Sequence, residues 1–185
     1  MPMNRRSLTA AVVFLAASAL GCCGPAGEAK ILSRSPVGPE VFFSPRGGCT
    51  EAIVRELAAA RRVVRVQAYS FTSRPIAEAL IAARSRGVDV AVILDRSQPT
   101  AVGGQAGRVA SAGVVVKIDA AHAIAHNKVI VIDGRVVITG SFNFTQSAES
   151  RNAENLLILP DTVLARKYLA NWCSHEKHSG PYQPH

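Results

Sequence analysis

Aromatic side chains make up only 5% of the 185 residues. Flat platforms on which bases could stack are therefore scarce, and any nucleic-acid contact must rest mainly on phosphates, with weak sequence preference and strong salt dependence. Acidic residues are also few: 13 Asp and Glu face 21 Lys and Arg, a formal net charge of +8. Cysteine is rarer still, with four in all, too few for a fold stapled by disulfides. Beyond an apolar leader there is no run of about 18 apolar residues, so no transmembrane segment is expected in the mature protein. No internal repeat is visible. What remains is a chain that is 48% hydrophobic and 18% charged, enough apolar material for a real core and unlike a disordered segment.

The basic residues are mostly arginine, 16 against 5 lysines, the side chain best suited to bidentate binding of phosphate or carboxylate. A polyanionic partner is the implication, although a charge that only aids solubility has the same composition. Residues 1–29 read as a secretory signal peptide: Arg5 and Arg6 precede an apolar run from Leu8 to Leu20 that stops at small residues. Export is expected, to the periplasm or the medium. Cleavage near Ala26-Gly27-Glu28-Ala29 is the favoured reading, while Leu20-Gly21-Cys22 loosely resembles a lipoprotein site that would leave a lipid-anchored form through Cys22. Removing residues 1–29 leaves 19 basic and 12 acidic side chains, a net of +7. It also leaves two cysteines, Cys49 and Cys173, in a compartment that permits disulfides. Their pairing is expected, and would contribute about 4–5 kcal/mol by loop entropy.

A lead-in over residues 30–48 precedes the folded region, residues 49–176, and a loose polar tail is expected over residues 177–185. Thr50 can cap a helix over Glu51–Arg62, followed by a strand at Val63–Phe71. Pro75 opens a second helix that Gly87 ends, and Val88–Asp95 is the next strand. A short helix near Gln105–Ala112 and the strand Val114–Asp119 continue the alternation. Two β-rich runs, Lys128–Ile132 and Arg135–Thr139, then flank Asp133-Gly134, a strong hairpin signal. A strand at Glu154–Leu159 and a helix capped by Asp161 and running to about Cys173 complete the pattern. The class is α/β: a mixed sheet flanked by helices, in one domain once the signal is removed.

The hairpin carries the chemistry. With a two-residue loop at Asp133-Gly134, Ile132 faces Arg135, Lys128 faces Thr139 and His126 faces Ser141, so alternation predicts these side chains on one side of the sheet, with Asn143 continuing the set. An imidazole, an ammonium, hydroxyls and a carboxamide would then share an apolar platform of Val and Ile. Such a set offers a nucleophile or acid/base and donors for anionic oxygens. No carboxylate set suited to Mg²⁺ and no Cys/His spacing suited to zinc accompanies it. Metal-free phosphoryl chemistry, with no cofactor, is the expectation.

The pattern His126-x-Lys128-x₄-Asp133 with Gly140-Ser141-x-Asn143 resembles the phospholipase D superfamily, and the small exported form resembles its bacterial endonuclease branch. The likeness runs from about Val41 to Trp172 and includes Ala68-Tyr69-Ser70-Phe71-Thr72 and Arg86-Gly87-Val88-Asp89-Val90. The resemblance implies that two such motifs build each active site, so that a chain with one copy forms a homodimer with the site at the two-fold interface. It implies a phosphohistidine on His126, a leaving oxygen protonated by the second His126, and non-bridging oxygens held by Lys128 and Asn143 with support from Ser141. Glu154 matches the carboxylate that orients the histidine. Asp133 matches the motif's final acid, but its place in the turn argues for structural support.

Other residues are weaker candidates. His122, four residues before His126, is a loop histidine that could touch substrate, and Thr139 could do so from the hairpin. Arg61, Arg62 and Arg65 could track phosphates from the first helix–strand junction. Cys173-x-His175-x₂-His178 has a metal-like look but no evident second pair, and a zinc site there is not expected. The favoured function is hydrolysis of DNA, or RNA, with little sequence specificity. A phospholipase D-type lipid phosphodiesterase or transphosphatidylase and a non-catalytic nucleic-acid-binding module are the alternatives.

Overall fold

The computed structural model describes residues 38–184. The segment expected to be a signal peptide, with Cys22, and the first part of the lead-in lie outside the described residues. Among the described residues, no helix is long and apolar enough to cross a membrane.

One eight-stranded sheet organises the chain. Its strands are β1 (Glu40–Ser44), β2 (Val63–Ala68), β3 (Asp89–Asp95), β4 (Val115–Asp119), β5 (Lys128–Ile132), β6 (Val136–Gly140), β7 (Glu154–Pro160) and β8 (Gly180–Pro181), in the spatial order β1-β7-β6-β5-β2-β3-β4-β8. β2, β3 and β4 are parallel, and every other pairing is antiparallel. The parallel strands need crossovers, which the helices α2 (Arg74–Ser85) and α3 (Ala106–Ser111) supply. Because helices cover both faces, β3 is apolar along most of its length rather than alternating, while in β2 Val64, Val66 and Ala68 alternate with Arg65 and Gln67.

On one face, α1 (Cys49–Ala59), α2 and α3 bury Ile53, Leu57, Ile76, Leu80 and Val109 against Val64, Val66, Val92, Ile130 and Ile138. On the other face lies α5 (Thr162–His178), whose Ala165, Leu164, Tyr168 and Leu169 pack on Val129, Val131 and Val137. Asp161 starts α5 by accepting from the N–H groups of Val163 and Leu164 at 2.7 and 2.9 Å, a cap worth about 1 kcal/mol. Trp172 docks the middle of α5 by donating its indole N–H to the Val66 carbonyl at 3.1 Å. A one-turn helix, α4 (Gln146–Ser150), follows the hairpin, capped by Thr145.

Three sequence expectations change here. The lead-in is not bare: Glu40–Ser44 pairs with residues 154–158 of β7 as an edge strand. The C-terminal segment is not a loose tail either, since α5 continues to His178, β8 pairs with Lys117 and Ile118 of β4, and Tyr182 donates its backbone N–H to Val116. The Cys49–Cys173 disulfide does not form. Cys49 is buried in the core beneath α1, while Cys173 is exposed on α5. The sheet stands between them, and each layer of packing spans about 10 Å, beyond the roughly 7 Å that a disulfide bridges between Cα atoms. Burial pushes the Cys49 thiol up to about 11, with Glu149 adding to the effect.

Candidate active site

The sheet changes direction at β2, which runs parallel to β3 on one side and antiparallel to β5 on the other. In open α/β sheets such a switch point, at the carboxyl ends of the parallel strands, is where a crevice opens. Here β2 ends at Ala68 opposite Lys128, and Tyr69 donates its backbone N–H to the Asn127 carbonyl at 2.9 Å. His126 thus stands at the open end of the sheet, exposed, with its ring centroid 4.5 Å from that of Tyr69.

Lys128 is 7% exposed. Its Nζ donates to the His126 carbonyl at 2.8 Å and lies 5.1 Å from the Tyr69 ring centroid. Burial lowers its pKa, with the Glu154 charge opposing that shift. The result is a partly desolvated cation tied to the histidine's own backbone, able to stabilise an anion strongly because little water screens it.

The backbone before His126 is held by Asp95, the last residue of β3. Its buried carboxylate accepts from the Ala125 N–H at 2.7 Å and from the Ser97 N–H at 2.9 Å. Burial alone would raise the Asp95 pKa, but the hydrogen bonds outweigh it and hold the group below the usual carboxylate range.

The second wall is the segment after β6. Gly140 has a φ of 151°, and a Cβ there would overlap the Asn155 carbonyl oxygen of β7. Beyond it the strand stops. The Ser141 N–H donates to Asn155 Oδ1, and the Asn155 N–H donates to Ser141 Oγ, both at 3.0 Å. Phe144 then bridges Phe71 and accepts from the N–H groups of Thr72 and Ser73, which folds Ser141–Phe144 back over the end where Tyr69 and His126 lie. Asn143 Oδ1 is buried there without a hydrogen-bond partner.

The hairpin register differs from the expected one. Asp133 and Gly134 both have positive φ, 53° and 64°, and Arg135 donates back to Ile132, but Arg135 is an extra residue, so Ile132 faces Val136 and Val129 faces Thr139. A shift of one residue moves a side chain to the other face. Thr139 therefore shares a face with Val129 and Val131, on the α5 side, and not with Lys128. Ser141 and Asn143 reach the site through the bend at Gly140, not by strand alternation.

Asp133 lies at the far end of β5, seven residues from His126, or roughly 23 Å along an extended strand. Its carboxylate accepts from three backbone N–H groups, of Arg61 (3.0 Å), Arg62 (2.8 Å) and Val63 (2.9 Å), which ties the hairpin turn to the entrance of β2. Arg61 and Arg62 consequently sit at the end of the sheet away from His126, too far to touch a phosphate bound there. Arg65 is spoken for: it bonds the Asp89 carboxylate and carbonyl and lies 5.2 Å above the Trp172 ring, under α5. Glu154 is close enough for its charge to act on Lys128, but its Oε1 accepts from Asn152 and it does not bond His126. His122 is held by Asp119 at the end of β4, on the far side of β2 and β3 from β5, roughly 14 Å across the sheet.

The structure thus gathers His126, Lys128, Ser141, Asn143 and Glu154 at one end of the sheet, and leaves Thr139, Arg61, Arg62, Arg65 and His122 away from it. Tyr69 and Gly140, which the sequence offers only as parts of motifs, and Asp95 and Asn155, which no sequence motif includes, line or hold the same sheet end.

This fold and this polar sheet end define a phosphodiesterase of the phospholipase D type. Residues 53–174 match the family model described as the cardiolipin synthase, PLD-like domain. The chain is 44% identical over 149 residues to a phospholipase D of Rickettsia bellii, covering 80% of this chain and 73% of that protein. It is 41% identical over 113 residues to the mitochondrial cardiolipin hydrolase of Xenopus laevis, covering 61% and 54%. Among solved structures, the phospholipase D family member Nuc from Salmonella typhimurium superposes with a TM-score of 0.74 at 35% identity, covering 78% of this chain and 97% of that one. The chain belongs to the phospholipase D superfamily, whose members are phosphodiester hydrolases.

Proposed function

We propose that the protein is an exported, metal-independent nuclease that cleaves DNA, and RNA by the same chemistry, with little sequence preference, as a homodimer. The observation that carries this reading is that each chain offers one exposed His126 backed by one desolvated Lys128, at an open sheet end. In-line displacement at phosphorus needs both an attacking group and an acid on the opposite side. A two-fold axis through the sheet end supplies both from two copies of one residue.

One His126 attacks phosphorus, forming a P–N bond as the P–O bond to the leaving group breaks, and the second His126 gives that oxygen its proton. Water, deprotonated by the second histidine, then displaces the first from phosphorus and releases the phosphomonoester. Lys128 and Asn143 of each copy hold the non-bridging oxygens, and the unpartnered Asn143 side chain is free to turn its amide toward them. Glu154, near Lys128, balances the two ammonium groups and orients the histidine once the dimer forms. Net charge favours a polyanion over a neutral lipid face: +8 in the full chain, with arginine predominant.

Lipid hydrolysis is the second reading, favoured by the phospholipase D and cardiolipin hydrolase relatives and by Ile124, 57% exposed only two residues before His126. The same Ile124 would be covered by a second copy in the dimer. The test incubates plasmid, single-stranded DNA, RNA, phosphatidylcholine and cardiolipin vesicles with the purified protein in excess chelator, alongside His126→Ala. Nucleic-acid cleavage that survives chelation and is lost in His126→Ala is expected. Cleavage of lipid alone would overturn the nuclease reading, and activity retained by His126→Ala would remove the histidine nucleophile.

A further inference from the structure

At the carboxyl end of β4, a second polar cluster lies outside the catalytic set. Asp119 is fully buried, and its Oδ2 meets three imidazole nitrogens: His175 Nδ1 at 2.7 Å, His122 Nδ1 at 3.0 Å and His178 Nε2 at 3.2 Å. The three rings face one another with centroids 4.9–5.3 Å apart. One donor atom from each of the four residues lies within 4.8 Å of every other. His175 and His178 stand one turn apart on the last turns of α5, so they share a face. Asp119, the last residue of β4, and His122 in the loop after it have the same spacing. This is the second pair that Cys173-x-His175-x₂-His178 lacked when read along the chain, and Cys173 itself takes no part.

A buried carboxylate needs one cation for neutrality, and three imidazolium rings in van der Waals reach would repel one another. Three neutral imidazoles and a carboxylate, by contrast, are a ligand set for a borderline transition ion. A tetrahedral zinc site has bonds of about 2.0–2.1 Å, which sets its donors roughly 3.4 Å apart. Closing from the present spacing requires only small rotations of His122 and His178, the more exposed rings, while Asp119 and His175 are held inside. The Ala121 N–H donates to Asp119 Oδ1 at 3.1 Å, as an outer-shell partner does, and fixes the carboxylate with Oδ2 toward all three rings while Oδ1 also lies 3.1 Å from His122 Nδ1. The end of α5 is pinned as well, by the Lys117–Glu176 ion pair at 3.0 Å and by β8 pairing with β4 immediately after the helix.

We propose that Asp119, His122, His175 and His178 form a structural site for one divalent transition ion, with zinc the best match. Four protein ligands leave no open position, so the ion does not take part in the reaction. Its effect is mechanical: it staples the last turn of α5 to β4 and to the loop that leads from His122 to His126. On binding, the ion replaces the protons shared between Asp119 and the rings.

The test uses full-length protein made without a histidine tag, stripped with chelator and titrated with zinc chloride alone by calorimetry, with metal content read by elemental mass spectrometry. One zinc per chain is expected, together with a higher melting temperature and slower amide exchange in residues 120–127. Cobalt should give the intense visible bands of a tetrahedral site. His122→Ala and His178→Ala remove exposed rings and leave the core intact, so both should fold by circular dichroism yet bind zinc more than about tenfold weaker, the loss that even an outer-shell change brings. Failure of the wild type to take up stoichiometric metal would overturn the proposal. So would uptake that both variants retain, and a cluster that only exchanges protons would give that first result.

Discussion

Asp95 accepts a hydrogen bond from the backbone N–H of Ala125, 2.7 Å away, and so fixes the peptide immediately before His126 from a strand that lies two positions across the sheet. The chain between β4 and β5 has no regular structure over residues 120–127. Without this bond the imidazole would be anchored only from its C-terminal side, by Lys128 Nζ on the His126 carbonyl and the Tyr69 N–H on the Asn127 carbonyl.

Asp95→Asn is therefore expected to lower kcat more than it raises KM, because it loosens His126 without touching substrate. Hydrogen bonds to a charged acceptor are worth about 1.5–3 kcal/mol, and stability should fall by an amount of that order. The sign of the pH effect follows from the lowered pKa of Asp95. A carboxyl depressed in the folded state contributes stability above its unfolded pKa, about 3.9, and loses it as pH falls through the folded value. Below about pH 4 the wild type should therefore lose unfolding free energy more steeply than the variant, as read from urea melts across pH. Parallel slopes would show that Asp95 is not the titrating anchor.

Gly140→Ala introduces a methyl group where the Asn155 carbonyl already stands, at a φ that L side chains rarely adopt. Overpacking costs about 1–3 kcal/mol, and backbone strain of this kind about 1–3 kcal/mol more. The variant should melt well below the wild type. Any folded fraction should also be impaired in catalysis, since the displaced bend carries Ser141 and Asn143. Unchanged denaturation midpoints would contradict the close approach of β6 and β7.

Asp133→Ala separates support from catalysis. Three backbone N–H groups lose their acceptor, and alanine must take a left-handed φ of 53°, so a loss of about 2–4 kcal/mol is expected. Activity per folded molecule should stay close to wild type, because the residue sits at the end of the sheet away from His126. Asp133→Asn, which tolerates that φ and keeps one acceptor oxygen, should recover part of the stability. A collapse of kcat in folded Asp133→Asn would give the acid a role in the reaction.

How far these features were legible depends on how local their causes are. The hairpin could be placed because Asp133-Gly134 is a local signal, and α1, α2 and α5 because their apolar spacing is local too, as is the Asp161 cap of α5; Thr50, expected to cap the first helix, lies inside it, since α1 starts at Cys49 after Gly48. The register was not, since one extra residue, Arg135, follows the turn and changes which residues face each other. β1 and β8 escaped notice because short edge strands take their structure from a partner, here β7 and β4. That His126, Lys128, Ser141 and Asn143 share one end of the sheet was readable from their pattern. Asp95, Asn155 and the Asp119 cluster are joined only by the folding of distant segments. Asp119-x₂-His122 and His175-x₂-His178 are each unremarkable alone and acquire meaning only when α5 docks beside β4.

Sharing of the active site between two chains can be read from mixtures. If each site needs one His126 from each copy, a dimer of wild type with His126→Ala is inactive, because it lacks either the attacking group or the acid. Wild type and His126→Ala, unfolded together in equal amounts and refolded, should partition statistically among the three dimers. Activity would then fall to about a quarter of that of the same total amount of wild-type protein, since only wild-type pairs count. Independent sites within single chains would give about half. A titration over several ratios separates a square law from a straight line, and mixing without unfolding serves as the control for exchange. A linear dependence, with sedimentation showing monomers under assay conditions, would mean that a single chain completes the reaction and that its acid must be sought elsewhere at the same sheet end.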